Sequence, residues 1–169
     1  MTRIGLLSDT HGHIDTGILA ALESCNEVWH AGDWGTRAVV QELEALKKPL
    51  RGVWGNIDGT DIRTDFPETA IFSCEGVKVL IHHIGGYPGR YAPGFRAMLE
   101  KEKPVLFIAG HSHILKVMPD RTLNLLHMNP GACGHHGWHT VRTLLRFTVD
   151  GDKMKDCEVV ELGKRGRAA

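Results

Sequence analysis

Five short apolar runs in this chain each break off in a turn that carries Asp, Asn or His. Ile4-Gly-Leu-Leu-Ser8 runs into Asp9-Thr10-His11, and Glu27-Val-Trp-His-Ala-Gly32 runs into Asp33. Leu50-Arg-Gly-Val-Trp54 runs into Gly55-Asn56, and Val77-Lys-Val-Leu-Ile81 into His82-His83. Val105-Leu-Phe-Ile-Ala109 delivers Gly110-His-Ser-His113. Runs of this length, bounded by turn residues, read as buried strands. Open α/β sheets hold their ligands at the carboxyl ends of strands. Taken singly, these polar residues are ordinary turn and capping residues. Five loaded strand ends together point to one polar, metal-binding centre.

The segments between the runs set the fold class. Asp15 or Thr16 caps a helix through Gly17–Glu23, and Arg37–Lys47 carries apolar residues at 39, 40, 43 and 46 before Pro49, a helical spacing. Strand-helix-strand-helix-strand implies parallel pairing with crossover helices. Beyond residue 60, the segments 69–74 and 77–81 read as a hairpin around Glu75-Gly76. A glycine- and proline-rich loop, 85–94, follows, and loops of this kind often border sites. A short helix is expected at 95–102, then a hairpin of 114–118 with 123–128 turning at Asp120-Arg121, and closing strands at 140–149 and 157–162. The tail from Gly163 to Ala169 is expected to fray. The reading is an α/β (α+β) chain, a parallel half joined to a more antiparallel half, with two packed mixed sheets flanked by helices.

At 169 residues and 42% hydrophobic, the chain is expected to form one domain, 1–169. Lys+Arg and Asp+Glu are both 20, so charge provides no general attraction to nucleic acid or to a membrane. The 11 histidines belong to no tag or low-complexity tract, so their placement has to be explained. Cys25, Cys74, Cys133 and Cys157 form no C-x-x-C pair, which fits a reduced, cytoplasmic setting. No signal segment opens the chain, and no apolar stretch approaches the roughly 18 residues of a membrane span.

Carboxylate oxygen, amide oxygen and imidazole nitrogen together suit Mn, Fe, Zn, Co or Ni. About seven candidate ligands exceed the needs of one ion. Two divalent ions are therefore expected, with Asp33 on its glycine turn suited to bridge them for in-line displacement at phosphorus.

In their order along the chain, Asp9-Thr-His11, Gly32-Asp33, Gly55-Asn56, the strand-end histidine and Gly110-His-Ser-His113 resemble the motif series of the calcineurin-like metallophosphoesterases. Asn129-Pro-Gly131 and the small size are similar to the short bacterial and archaeal phosphodiesterase branch, over roughly residues 3–150. The resemblance implies a four-layer sandwich of two sheets between helices. It implies Asp9, His11, Asp33 and His113 around one ion, and Asp33, Asn56, His83 and His111 around the other. Manganese is the first expectation, with Ni, Fe, Co or Zn as alternatives. His83 is preferred to His82, which takes the place of a threonine usual in the family. Where the family's larger phosphatases have a histidine after the motif asparagine, this chain has Ile57, followed by Asp58. Asp58 either forms a turn with Gly59 or orients a ligand.

The expected activity is hydrolysis of small phosphodiesters by a metal-bound hydroxide, with Asp33, Asn56, Asp58 and His111 as catalytic residues and leaving groups that need little protonation. Cyclic nucleotides, nucleotide-derived diesters and other small diesters all satisfy it. Arg90 is either a phosphate contact or a surface arginine. The cluster Gly134-His-His-Gly-Trp-His139 reads either as another metal site or, preferably, as a loop near the mouth with His135 as a substrate contact. Trp29, Trp34, Trp54 and Trp138 read as core or rim packing, Trp34 also as a flank for a substrate base. The competing class is a metal-binding scaffold, the use made of this fold by a trafficking-coat subunit that has a degraded first motif. The intact His11 favours the enzyme. Exposed sheet edges make a homodimer or tetramer reasonable.

Overall fold

The computed structural model describes residues 1–166. The chain runs β1 (Thr2–Leu7), α1 (Thr16–Leu22), β2 (Glu27–His30), α2 (Arg37–Glu44), β3 (Leu50–Gly52) and α3 (Thr60–Arg63). It continues with β4 (Thr69–Cys74), β5 (Val77–His82), β6 (Gly86–Tyr87), β7 (Arg90–Tyr91), α4 (Phe95–Glu102) and β8 (Leu106–Ile108). It closes with β9 (Lys116–Asp120), β10 (Leu125–Asn129), β11 (Val141–Asp150) and β12 (Lys153–Lys164).

Two five-stranded mixed sheets result, ordered β12-β11-β1-β2-β3 and β4-β5-β8-β10-β9. Ile4, Leu6 and Trp29 of the first face Val79, Ile81, Leu106 and Ile108 of the second in one buried core. Alternation along β1 sends Leu7 to the other face, where Ile18 and Leu22 of α1 and Val39, Val40 and Leu43 of α2 cover it. Phe95 and Leu99 of α4 cover Leu80 and Phe107 on the outer face of the second sheet. Asp15 caps α1, its side chain accepting from the Ile18 N–H at 2.9 Å.

The half expected to be more antiparallel has a parallel middle, because β5, β8 and β10 run the same way and only β4 and β9 oppose them. The closing hairpin β11–β12 adds antiparallel to β1 and so completes the first sheet. The glycine-rich loop holds the small hairpin β6–β7, and α3 is a single turn. The frayed tail is corrected at its start, since Gly163 and Lys164 belong to β12 and Lys164 pairs with Val141. Residues 167–169 lie outside the described residues. No described helix is long and apolar enough to cross a membrane.

His127 on β10 is buried against Phe107 and donates through Nδ1 to the Phe107 carbonyl at 3.2 Å. Burial pushes its pKa from 6.5 down to about 4. The unfolded chain therefore takes up a proton on this ring as pH falls below about 6.5, while the folded chain does not until about 4. Stability should drop across that window by up to about 3 kcal/mol and level off below it. Urea unfolding at pH 7, 5.5 and 4 should show the fall in the wild type and a shallower one in His127→Gln. Parallel pH profiles in the two proteins would rule this out.

Candidate metal centre

The chain leaves β1, β2, β3, β5 and β8 on one rim, and each exit carries a polar side chain toward the same point. Asp9 and Asp33 are buried there, with His83 beside them and His11 and His113 nearly so. Asp9 Oδ1 lies 3.1 Å from His113 Nε2. Asp33 Oδ2 lies 3.4 Å from His11 Nε2 and 3.2 Å from His83 Nε2. Asn56 Oδ1 accepts from His111 Nδ1 at 3.0 Å. Two clusters of potential ligands stand side by side, Asp9-His11-His113 and Asp33-His83-His111, each with its donor atoms within 4.8 Å of one another.

The backbone is bent to achieve this. Asp9, His11, Asp33, His111 and His113 all have positive φ, between 45° and 70°. Left-handed backbone costs about 1–2 kcal/mol for a residue with a side chain. Five such residues converging on one point are the mark of a functional site rather than of ordinary turns.

Neighbouring groups then select which atom of each side chain faces inward. Ser8 Oγ and the His111 N–H donate to Asp9 Oδ2, at 2.6 and 3.2 Å, and leave Oδ1 for the centre. The Ile57 N–H donates to Asp33 Oδ1 at 3.1 Å and leaves Oδ2. His83 donates through Nδ1 to the Ala31 carbonyl at 2.7 Å, which fixes its tautomer and turns Nε2 inward. His82 pairs with Thr69 and packs near Phe95, away from the centre. Asp58 accepts the N–H groups of Trp34, Gly35 and Gly55 at 3.2, 2.9 and 2.8 Å, and so ties the loop carrying Asp33 to the loop carrying Asn56.

Asp9 Oδ1, His11 Nε2 and His83 Nε2 are buried and make no well-aligned hydrogen bond, although each has an oppositely charged neighbour at 3.1–3.4 Å. Burial without a partner costs about 1–3 kcal/mol for a polar group and more for a charge, and three such atoms aimed at one another fit a divalent cation between them. Burial acts to raise both carboxyls, but neighbouring imidazoles outweigh it. His11 and His113 hold Asp9, and His11 and His83 hold Asp33, well below the usual carboxylate range. Burial opposes charge on His11, yet Asp33 and Asp9 raise it to about 9. Without a cation, protons on the imidazoles offset the two carboxylates; a cation would displace them.

A mouth of about 260 Å³ opens over His11, Asp33, Asn56, His111 and His113. Its rim includes Ile57, His136, Gly137 and Trp138. His136 stacks on His11 with ring centroids 4.7 Å apart, and His139 packs edge-on to His113 at 5.3 Å. The 134–139 loop therefore reaches the mouth with His136 and Trp138, while His135 turns to His13. The adjacent histidines His135 and His136 looked alike in the sequence, and only the loop's path separates them. Trp138 is 98% exposed and packs against no core. Trp34 is wholly buried, stacked on His30, with Nε1–H donating to the Val53 carbonyl, so it flanks no substrate. Arg90 lies on a second pocket of about 190 Å³ that runs from His111 past Tyr87 to Lys116. Nothing local to the sequence marks Ser8 as a support of the centre, and the Asn-Pro-Gly motif by itself assigns Asn129 no contact. The Asn129 amide donates to the Gly110 carbonyl and Ser112 Oγ, both at 3.1 Å, and holds the Gly110–His113 turn.

A probable metallophosphoesterase of Methanothermobacter thermautotrophicus is 29% identical over 168 residues, covering 95% of this chain and 92% of that protein. A phosphodiesterase of Methanocaldococcus jannaschii is 27% identical over 150 residues, covering 78% and 84%. The zinc complex of Vps29 from Entamoeba histolytica superposes with a TM-score of 0.73 over 95% of this chain and 99% of that one. At 17% identity, that likeness shows the fold alone. The model of the calcineurin-like phosphoesterase superfamily domain matches residues 2–152, which takes in all five strand-end motifs, and the chain belongs to that superfamily.

Proposed function

We propose that the chain is a metal-dependent phosphodiesterase acting on small diesters with two divalent ions. Asp9, His11, Asp33 and His113 would hold one ion and Asp33, Asn56, His83 and His111 the other. The observation that carries this reading is the set of three buried atoms without a well-aligned hydrogen bond, Asp9 Oδ1, His11 Nε2 and His83 Nε2, next to the doubly approached Asp33 Oδ2. The phosphodiesterase relative from Methanocaldococcus jannaschii supports the choice of a diester. Divalent ions bound there would supply Lewis acidity, which activates water at neutral pH and offsets negative charge on the phosphoryl oxygens. The protein's own contribution is positional. Asp58, Ser8 and the Ala31 carbonyl hold ligand side chains or their loops in place before substrate arrives. Ile57 brings an apolar side chain to the rim where a proton donor would assist the leaving group, and His136 lines the same opening. Diesters with acidic leaving groups should therefore react fastest.

The test is hydrolysis of bis(p-nitrophenyl) phosphate beside p-nitrophenyl phosphate by metal-stripped protein re-supplied with Mn, Ni, Fe, Co or Zn. Diester turnover should return with metal and exceed monoester turnover. If the protein takes up metal and cuts neither ester with any ion, the reading fails, and a binding module on the same fold takes its place.

A further inference from the structure

A third histidine cluster lies outside the centre. His13 Nε2 is 2.8 Å from Asp15 Oδ2 and 3.2 Å from His135 Nε2, and all three donor atoms fall within 4.8 Å of one another. We infer that His13, Asp15 and His135 bind one further late first-row divalent cation, zinc-like in its chemistry, independently of the ions proposed above.

Two features carry this. The first is spacing, because a tetrahedral ion with bonds of about 2.0–2.1 Å sets its ligand atoms about 3.3 Å apart. The two imidazole nitrogens already stand at that separation, and Asp15 Oδ2 needs to withdraw by about half an ångström. The second is the tautomer. His135 Nδ1 donates to the Arg165 carbonyl, which leaves the Nε2 lone pair of the neutral ring facing His13. A backbone carbonyl on the far nitrogen is the usual support of a metal-binding imidazole.

Asp15 is available as a carboxylate. Burial acts to raise it, but the Ile18 N–H, His13 and Arg142 hold it down at about 2. Arg142 lies 2.8 Å from Asp15 Oδ2 and offsets its charge. The site therefore selects by imidazole nitrogen, which suits Zn, Co or Ni and not the oxygen-seeking Mg or Ca. It also has a place in the fold. His11 stacks on His136 at the mouth, while His13 packs against His135 with centroids 4.2 Å apart. An ion there would tie the loop after β1 to the loop that carries Trp138.

The experiment is metal counting on the full chain. Stripped protein is saturated with Zn, passed through a desalting column and analysed by mass spectrometry, for the wild type, His135→Ala and His13→Gln. Each variant should retain one equivalent fewer than the wild type, whatever number the main centre holds. Failure of the phosphodiesterase reading would leave this difference intact. Excess Mg or Ca should not displace the extra equivalent. Equal counts in the wild type and in either folded variant, or displacement by Ca, would overturn the inference. If one variant does not fold, the other carries the count. If neither folds, wild-type protein titrated with Co decides, since a tetrahedral visible spectrum from an equivalent added after the main centre is filled supports the site and its absence refutes it.

Discussion

Asp33→Asn should lower diester turnover by at least about 1,000-fold, equivalent to about 4 kcal/mol of transition-state stabilisation. Asp33 Oδ2 approaches His11 and His83 at 3.4 and 3.2 Å, closer to that pair than Asp9 Oδ1, which stands 3.8 and 3.9 Å away. The substitution keeps the side-chain shape, and the amide oxygen can still accept from the Ile57 N–H. What it removes is the negative charge shared by the two ligand clusters, and it turns an N–H₂ toward imidazole nitrogens. The variant should fold and bind less metal than the wild type. Turnover within tenfold of the wild type at saturating metal would remove Asp33 from its proposed bridging position.

Gly55→Ala should be nearly as severe, by a different route. A Cβ at residue 55 would lie 2.1 Å from Asp33 Oδ1 and 2.4 Å from the Asp33 backbone nitrogen. A rotamer change can relieve the first contact but not the second, so the β2 exit has to shift. Overpacking of this kind costs about 3 kcal/mol or more when backbone must move. The shift also carries Asp33 away from its imidazoles, so turnover should fall at least about 100-fold, since misplacement by about 1 Å has that effect. Urea unfolding and diester hydrolysis measure the two effects. A variant within about 1 kcal/mol of wild-type stability would show that the β2 and β3 exits are not packed as tightly as described.

Much of this arrangement could be read along the chain because the signals are local. An apolar run that stops at glycine or a short polar residue marks a strand end wherever it packs, and β1, β2, β3, β5 and β8 all ended within two residues of the positions expected. The helices between the first three strands showed their apolar spacing, and parallel pairing followed from the crossovers. Sheet membership late in the chain was not local. The β11–β12 hairpin has the same alternation whether it joins the first sheet or the second, and its place beside β1 depends on Phe147 and Leu145 meeting Ile4 and Leu6 in the shared core.

The same division runs through the candidate centre. Which residue types reach each rim follows from sequence order, because β1, β2 and β3 end together in one sheet and β5 and β8 in the other, and packing of the two sheets then joins the rims. Which atom of each points inward is set by partners remote in sequence. His83 faces in because the Ala31 carbonyl, 52 residues away, takes its Nδ1–H. His136 rather than His135 reaches the mouth because its ring finds His11 to stack on, while His135 is drawn to His13 and the Arg165 carbonyl. Trp34 and Trp138, alike in composition terms, end at opposite extremes of exposure for the same reason. Periodicity and turn chemistry act over a few residues and are written in the chain. Side-chain orientation at a site is settled by packing and hydrogen bonds between segments that meet only once the two sheets have closed on each other.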